Sequence, residues 1–436
     1  MHNELEDYSA AIAAYEQAIA LNPNDARSYN GLGNVYSDLG DNEKAIAAYE
    51  QATKLNPNDA RSYNGLGNVY SDLGDNEKAI AAYKQAITLD SQYAAPHYNL
   101  GHIYRNRVES EKAIAAFERA IELDLTDADP HNELGLVYGA LGESEKAIAA
   151  FERAIELDPT DAYPYYNMGL VYRDLGESEK AIATYKRAIK LDPSDADSYY
   201  NLGLVYRDLE EYQEAITSFE KVVELDPTDA DSYYNLGLVY SDRGENDAAI
   251  TAFQKAIDLD PADIRYHNNL GHTYRNGGET QKAIAAFERV IELNPKWVFP
   301  HYYLGFLYRD LGEYQEAISI LKKAIDLAPD DSFYYYQLGN LYHSQGENDR
   351  AHREWRKGLA LCKNNDGVGN RVNRSLYTLA LGESDRGIAK LQALIESGAS
   401  VSALKNALDD AEVLARCPTP PAGIDTVVEL LKEAIG

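Results

Sequence analysis

The sequence predicts an all-α fold, an α-solenoid of stacked helical hairpins, and three observations support this prediction. The chain of 436 residues repeats itself with a period of 34, and a fixed period of this length indicates a repeat architecture. Each period carries helical apolar spacing twice, so each repeat holds two amphipathic helices. Glycine and alanine recur where the two helices would cross. A single hairpin cannot bury its apolar face alone, so repetition gives each hairpin a matching neighbour.

The repeat is visible in the segment ARSYNGLGNVYSDLGDNEKAIAAY at 26–49, which recurs unchanged at 60–83. Numbering each repeat from its residue aligned with Ala26 gives ten repeats over 26–365. Position 8 is glycine, position 11 tyrosine and position 20 alanine in all ten, and position 24 is aromatic except at Leu321. Position 32 is proline in seven repeats.

The spacing of these residues predicts each element of the hairpin. Positions 4, 7, 8 and 11 form one face of a first helix, and positions 20, 21, 24, 27 and 28 form one face of a second. A turn such as LGDN, usually with glycine at position 15, separates them. Proline ends the second helix, and an aspartate such as Asp161 or Asp195 is predicted to cap the next first helix. Leucine at position 8 or 20 would overpack the joint, at about 1–3 kcal/mol per site.

These positions resemble the tetratricopeptide repeat, although its usual tryptophan at position 4 is tyrosine or histidine here. The resemblance implies a right-handed superhelix of helix-turn-helix hairpins. It also implies that positions 2, 5, 6, 9, 12 and 13 of the first helix face an inner, concave groove.

The chain is predicted to have three parts. Residues 1–25 read as a partial N-terminal repeat with the second helix only, so we expect upstream sequence or another chain to cover its apolar flank. Residues 26–365 hold the ten repeats. Residues 366–436 read as a degenerate repeat, with Ser375 in place of glycine and Gly387 in place of alanine, followed by a C-terminal helical cap.

Composition limits the partners and the location. Lys and Arg number 41 against 71 Asp and Glu, so the formal net charge is −30, which disfavours nucleic acid and anionic membrane surfaces. The absence of an 18-residue apolar run predicts no membrane insertion. Cys362 and Cys417 are the two cysteines, too few for a disulfide framework. With a polar, acidic N-terminus, these features predict a cytoplasmic protein.

The groove predicted from the resemblance is rich in tyrosine, asparagine and arginine. Tyrosine offers rigid contact area, an asparagine amide can pair with a peptide backbone, and arginine can hold a carboxylate with two hydrogen bonds. The predicted partner-binding residues are the tyrosines at position 5, the asparagines at position 6 and the arginines at position 12: Tyr98, Asn99, Arg105, Tyr166, Asn167, Arg173, Tyr200, Asn201, Arg207, Tyr234, Asn235, Asn269, Arg275, Tyr302, Arg309 and Tyr336.

No catalytic residue, metal site or cofactor is predicted. Gly31-Leu-Gly33 lacks the third glycine and preceding strand of a dinucleotide loop. The pair His97 and His102 is spaced i, i+5, which is unsuited to shared metal ligation. The acidic segment 124–133 lacks EF-hand spacing.

The leading functional hypothesis is therefore a non-catalytic scaffold that binds an extended peptide or partner protein in the groove. One alternative is the repeat arm of a larger enzyme or signalling protein whose catalytic domain lies outside this chain. Another is a self-assembling structural module that associates through the uncovered N-terminal helix. A passive spacer also remains open, since Arg at position 12 can pair with Asp at position 13 on a neighbouring hairpin. Asn34 and Asn68 match one position of the family's carboxylate clamp, but its basic partners are absent.

Overall fold

A computed structural model describes residues 2–362, 368–417 and 420–435 of the chain. These residues form helices α1 to α25 and no strand. The chain divides into two compact units, unit 1 over 1–225 and unit 2 over 226–436. Lys363 and the predicted boundary between 365 and 366 lie outside the described residues.

Residues 2–225 of unit 1 form thirteen helices, which alternate as second and first helices of the repeats. Their bounds are α1 His2–Leu21, α2 Ala26–Asp38, α3 Asn42–Leu55, α4 Ala60–Asp72, α5 Asn76–Leu89, α6 Ala94–Asn106, α7 Ser110–Leu123, α8 Asp129–Ala140, α9 Ser144–Leu157, α10 Tyr163–Asp174, α11 Ser178–Leu191, α12 Ala196–Asp208 and α13 Tyr212–Leu225.

In unit 2 the described residues form the other twelve helices. Their bounds are α14 Ala230–Asp242, α15 Asn246–Leu259, α16 Ile264–Asn276, α17 Thr280–Leu293, α18 Val298–Asp310, α19 Tyr314–Leu327, α20 Ser332–Ser344, α21 Asn348–Leu361, α22 Val368–Ala380, α23 Ser384–Glu396, α24 Val401–Ala415 and α25 Ile424–Ile435.

Within each unit the helices pack as successive hairpins. The two helices of a hairpin pack together, as α6 and α7 do, and the second helix then packs on the first helix of the next hairpin, as α7 does on α8. The position-20 alanines are fully buried in all ten repeats. The predicted all-α fold of stacked hairpins is confirmed in both units.

The position-8 glycines explain how closely the two helices approach. A Cβ atom on Gly101 would lie 2.5 Å from the ring of Phe117, the position-24 residue of the same hairpin. Real Cβ atoms do not come this close to a neighbour. The ring therefore sits directly on the glycine, and any side chain there would push the helices apart.

The helix ends follow local chemistry. The side chain of Asp195 accepts a 3.2 Å hydrogen bond from the Asp197 amide and caps α12, and Asp161 accepts one of 2.9 Å from the Tyr163 amide at the start of α10. Most hairpin turns contain a position-15 glycine with positive φ. Val108 and Glu210 take this left-handed conformation instead, with φ of 58° and 60°.

The last hairpin of unit 2 breaks the regular pattern. Helix α24 packs on α22 and α20, which are both first helices, while α25 packs on α23. The side chain of Gln337 on α20 is buried beneath α24 and donates a hydrogen bond to Asp410. The face of α20 that carries positions 5 and 6 is therefore covered by the chain's own C-terminal region.

Candidate partner-binding surface

The position-5 tyrosines form a supported row on the first helices. In unit 1 the Tyr98 ring lies 5.9 Å from the buried Phe117 ring, and the Tyr200 ring lies 5.8 Å from Phe219. Tyr166 makes the equivalent contact with Tyr185 at 6.1 Å. Each of the three tyrosines is half-buried, so the core fixes one side of the ring and leaves the rest accessible. We call Tyr98, Tyr166 and Tyr200 the tyrosine row of unit 1.

Unit 2 places its three predicted tyrosines differently. Tyr234 repeats the arrangement of unit 1, 5.9 Å from the Phe253 ring. Tyr302 is half-buried among other aromatic rings. Tyr336 is only 1% exposed and packs edge-on against Tyr377 at 5.2 Å. Tyr336 therefore belongs to the core of unit 2, not to its accessible surface, because the C-terminal helices cover it.

The side-chain amides of the position-6 asparagines donate hydrogen bonds to other groups of the protein. Asn167 Nδ2 donates to Asn132 Oδ1 at 3.1 Å, reaching position 5 of the preceding repeat. The same step is made by Asn201 to the Tyr166 hydroxyl at 3.3 Å and by Asn269 to the Tyr234 hydroxyl at 3.1 Å. We call these bonds the amide ladder.

The ladder has two further members with their own partners. Asn99 Nδ2 donates to Asn64 Oδ1 at 3.2 Å and to Asn68 Oδ1 at 2.9 Å. Asn235 is 4% exposed and donates to the Asp231 backbone carbonyl at 2.8 Å. The bonds of Asn99, Asn167, Asn201 and Asn269 thus tie neighbouring first helices together, whereas the bond of Asn235 to Asp231 stays within α14. The sequence interpretation of these asparagines missed this role.

Three of the position-12 arginines pair with the aspartate that follows them. The nitrogen–oxygen distances are 3.3 Å for Arg173 and Asp174, 3.5 Å for Arg207 and Asp208, and 2.8 Å for Arg309 and Asp310. The aspartates are well exposed, so these pairs contribute little to stability. The pairing stays within one helix, whereas a neighbouring hairpin was the expected source.

Arg105 pairs across two hairpins instead. Its following residue is Asn106, and its guanidinium contacts Glu133, which replaces the ladder asparagine at position 6. Burial raises the pKa of the Glu133 carboxyl, and Arg105 acts in the opposite direction. Burial and then Arg105 lower the pKa of His102, 3.6 Å from Glu133, to about 4. His102 is therefore neutral at pH 7, and the ion pair is Arg105 with Glu133.

Arg265, at position 2, also contributes to the surface although the sequence analysis did not select it. Its guanidinium lies 5.2 Å from the Tyr234 ring centre and pairs with Asp231 at 2.9 Å and Asp263 at 2.6 Å. The resemblance placed position 2 on the same groove-facing side of the first helix as position 5. An arginine at position 2, next to a tyrosine at position 5, was therefore the sequence signal that could have identified Arg265.

Half-buried aromatic rings on the first helices of stacked hairpins, with arginines beside them, define a helical repeat protein with an interaction-type surface. The chain belongs to the tetratricopeptide repeat family, as the resemblance implied. The family described as "TPR repeat" matches nine segments, most of which overlap their neighbours: 1–40, 33–74, 67–106, 109–142, 140–176, 169–209, 203–242, 239–277 and 307–346. The family described as "Tetratricopeptide repeat" matches 264–296.

Three solved structures illustrate the likeness. YrrB, described as a TPR protein with an unusual peptide-binding site, is 33% identical over 42% of this chain and 95% of its own, with a TM-score of 0.39. The structure of MamA 41-end from Desulfovibrio magneticus RS-1 is 30% identical over 38% of this chain and 95% of its own, with a TM-score of 0.37. The C-terminal part of a TPR repeat-containing protein from Cytophaga hutchinsonii is 19% identical over 55% and 99%, with a TM-score of 0.51, a likeness of fold alone.

No curated protein sequence matched the chain significantly. Among the described helices, none combines the length and apolar character required to cross a membrane.

Proposed function

We propose that the chain is a non-catalytic scaffold that binds an extended segment of a partner protein along the first helices of each unit. The observation that carries this proposal is the tyrosine row, whose rings recur with the repeat and are each backed by a buried ring at position 24. A side chain held on one side loses little entropy when a ligand covers the other. Tyrosine also combines apolar contact with a hydroxyl group.

The amide ladder supports the same proposal in a different way from the one first expected. Its donors are already bonded, so the asparagines hold the tyrosines in place for a ligand more than they contact it themselves. Asn201 supports this interpretation, because its amide donates to the Tyr166 hydroxyl and to the Asp197 carbonyl, at 3.3 and 2.9 Å. A fixed surface binds an extended peptide at a lower ordering cost than a mobile one.

The experiment is a comparison of binding to an array of random peptides. Changing Tyr98, Tyr166 and Tyr200 together to alanine should leave the helix content unchanged by circular dichroism, because these rings are only half-buried. The same variant should lose most of the peptides that the wild-type chain binds. The control Tyr314→Ala removes a tyrosine that is 40% exposed on a second helix and should keep them. Undiminished binding by the triple variant would count against the proposal.

A cytoplasmic location is part of the proposal. Cys362 and Cys417 are buried thiols whose pKa burial raises, and two cysteines in a chain of this length suit a reducing compartment. A tagged chain in its source cell should fractionate with cytoplasmic markers, and recovery in an extracytoplasmic fraction would contradict this.

A further inference from the structure

Arg275 differs from every other arginine at position 12 because it has no acidic partner. Its following residue is Asn276 where Arg173, Arg207 and Arg309 have aspartate. Position 6 of the next repeat is Tyr303, where the partner of Arg105 is a glutamate. In the part of the chain that the structure describes, Arg275 makes no ion pair and lies with its guanidinium 5.1 Å from the Tyr303 ring centre. The Arg275 side chain is exposed, in a chain whose acidic residues outnumber the basic ones by 71 to 41.

Arg275 borders a cleft of about 620 Å³ inside unit 2, formed by residues of α16, α18, α20 and α24. Its aromatic wall is built around Tyr302, whose ring lies 4.5 Å from Phe306 and 4.8 Å from Phe333. Phe299 lines the cleft as well and is 57% exposed. A large exposed phenylalanine beside a rigid aromatic wall is typical of a site that a partner covers.

Most other charges of the cleft are already compensated. Arg309 pairs with Asp310 at 2.8 Å, and Glu412 pairs with Arg416 at 3.0 Å and with Lys432 at 2.9 Å. Asp410 accepts its 2.6 Å hydrogen bond from Gln337.

The charges that remain for a ligand are the Arg275 guanidinium on α16 and the exposed Asp409 carboxylate on α24. They come from helices on different walls of the cleft. A bound segment would therefore meet a cation on the aromatic wall and an anion on the other.

We propose that Arg275 binds the carboxylate of an aspartate or glutamate side chain in the partner segment, while an adjacent aromatic side chain of that segment enters the cleft. This inference rests on the proposed function and specifies the chemistry of its ligand. A guanidinium can present two parallel N–H donors to a carboxylate, and that of Arg275 lies 5.1 Å from the Tyr303 ring centre, within the range of a cation–π contact. The carboxylate comes from a side chain because the proposed ligand continues along the first helices, so the residue at Arg275 is internal.

The test uses defined peptides, acetylated and amidated, in which Glu, Gln or Lys precedes Phe or Ala in a Gly/Ser background, and a matching Gln-Phe peptide that ends in a free carboxylate. The wild-type chain should prefer the Glu-Phe peptide to the Gln-Phe and Glu-Ala peptides by about tenfold each. Arg275→Gln should abolish the preference for Glu over Gln. The control Arg289→Gln removes an arginine of α17 that is already paired with Glu292 at 2.8 Å and should keep the preference. Asp409→Asn should strengthen Glu-Phe binding, because it removes a like charge from the facing wall.

Each opposing result overturns the proposal. Equal binding of Glu-Phe and Gln-Phe by the wild-type chain would mean that the cleft does not recognise a carboxylate. An unchanged preference for Glu over Gln in Arg275→Gln would mean that Arg275 is not the residue that binds it. Preference for Lys-Phe would assign the cleft to a cation and to Asp409. Binding only of peptides with a free C-terminal carboxylate would replace the side-chain carboxylate with a chain end. The proposed function is tested separately by the triple alanine variant of the tyrosine row of unit 1, which leaves this cleft intact. If that variant binds the random peptides as well as the wild-type chain does, the proposed function has failed, whatever the result for Arg275.

Discussion

Gln337 Nε2 donates a 2.6 Å hydrogen bond to Asp410 Oδ1 and so joins α20 to α24. Gln337 is at position 6 of its repeat, the place of the ladder asparagines, but its partner comes from the C-terminal region and not from the preceding repeat. The contact is buried on both sides. It shows that the C-terminal region of the chain covers the face of α20 that carries positions 5 and 6, which is why Tyr336 lies in the core.

The buried carboxyl of this pair should make unit 2 sensitive to pH. Burial raises the pKa of Asp410 from 3.8 to about 7, with Asp409 acting in the same direction and with Gln337 and Arg309 opposing it. The folded chain therefore holds this proton more tightly than the unfolded chain, so the free energy of unfolding falls as pH rises from about 4 to about 7. Asp410→Asn should raise the melting temperature at pH 8 and change it little at pH 4. The gain at pH 8 is at most about 4 kcal/mol.

Thermal melts between pH 4 and pH 8 check this expectation. Asp326→Asn is the matched control, because it makes the same change of aspartate to asparagine outside the core, at a carboxyl exposed to solvent on α19. An equal gain for both variants at pH 8 would mean that Asp410 is not the group responsible. A loss of stability for Asp410→Asn at every pH would show that the amide cannot replace the protonated carboxyl.

The period made most of the fold predictable, because each conserved position has one physical task. The structural roles of Gly101, Phe117 and Ala113 can be predicted from their repeat positions alone, because the same residue type recurs there in all or nearly all of the ten repeats. The C-terminal hairpin was not predictable in the same way. Leu404, Ala407, Ala411 and Leu414 mark an amphipathic helix, but its pattern does not tell which face of the stack it meets.

The candidate surface was predictable in its composition and not in its bonding. Alignment of the repeats identified the asparagines at position 6 and the arginines at position 12. The identity of a residue at a repeat position does not tell whether its amide donates to a ligand or to a side chain of the preceding repeat. The partners of Asn167 and Asn201 lie 35 residues earlier, one more than the period. The missing partner of Arg275 was visible in the sequence as Asn276, once three of the other arginines proved to pair with the next residue.

The contact of glycine with the facing ring should make a minimal substitution costly. Gly101→Ala places a methyl group 2.5 Å from a carbon of Phe117, so the ring or the helix must shift. We expect a loss of about 1–3 kcal/mol. Gly139→Ala is the control in the same unit, because its Cβ would have only a 3.9 Å neighbour. That variant should be neutral or more stable by up to about 1 kcal/mol, through helix propensity.

Unfolding of the two variants in guanidinium chloride measures these changes in stability. A repeat array can unfold in segments, so the comparison is made between midpoints of the same transition. If Gly101→Ala melted with the wild-type chain, the close approach of α6 and α7 would not limit the size of this residue.

Two turns store backbone strain that glycine should release. Val108 has a φ of 58° in the turn after α6, a conformation that costs a residue with a side chain about 1–2 kcal/mol. Val108→Gly should raise the melting temperature, although glycine returns part of the gain as entropy of the unfolded chain. Glu210→Gly, at a φ of 60°, should act in the same direction. Gly142→Val makes the reverse change at a φ of 73° and should lower the melting temperature.

Differential scanning calorimetry of the three variants tests the sign of each effect. Val108 is also 83% exposed, so its loss removes almost no packing. A lower melting temperature for Val108→Gly would show that unfolded-state entropy outweighs the relieved strain.

The amide ladder should contribute measurable coupling between neighbouring hairpins. Asn167 Nδ2 and Asn132 Oδ1 are 3.1 Å apart, and Asn167 is 9% exposed, so removing either partner leaves the other short of a hydrogen bond. A double-mutant cycle with both residues changed to alanine should give a coupling energy of about 0.5–1.5 kcal/mol. The control cycle pairs Asn167 with Asn99, which belongs to a separate step of the ladder, and should be additive. Coupling near zero in the first cycle would mean that the ladder does not hold the hairpins together, and the asparagines would then be as available to a ligand as the sequence first suggested.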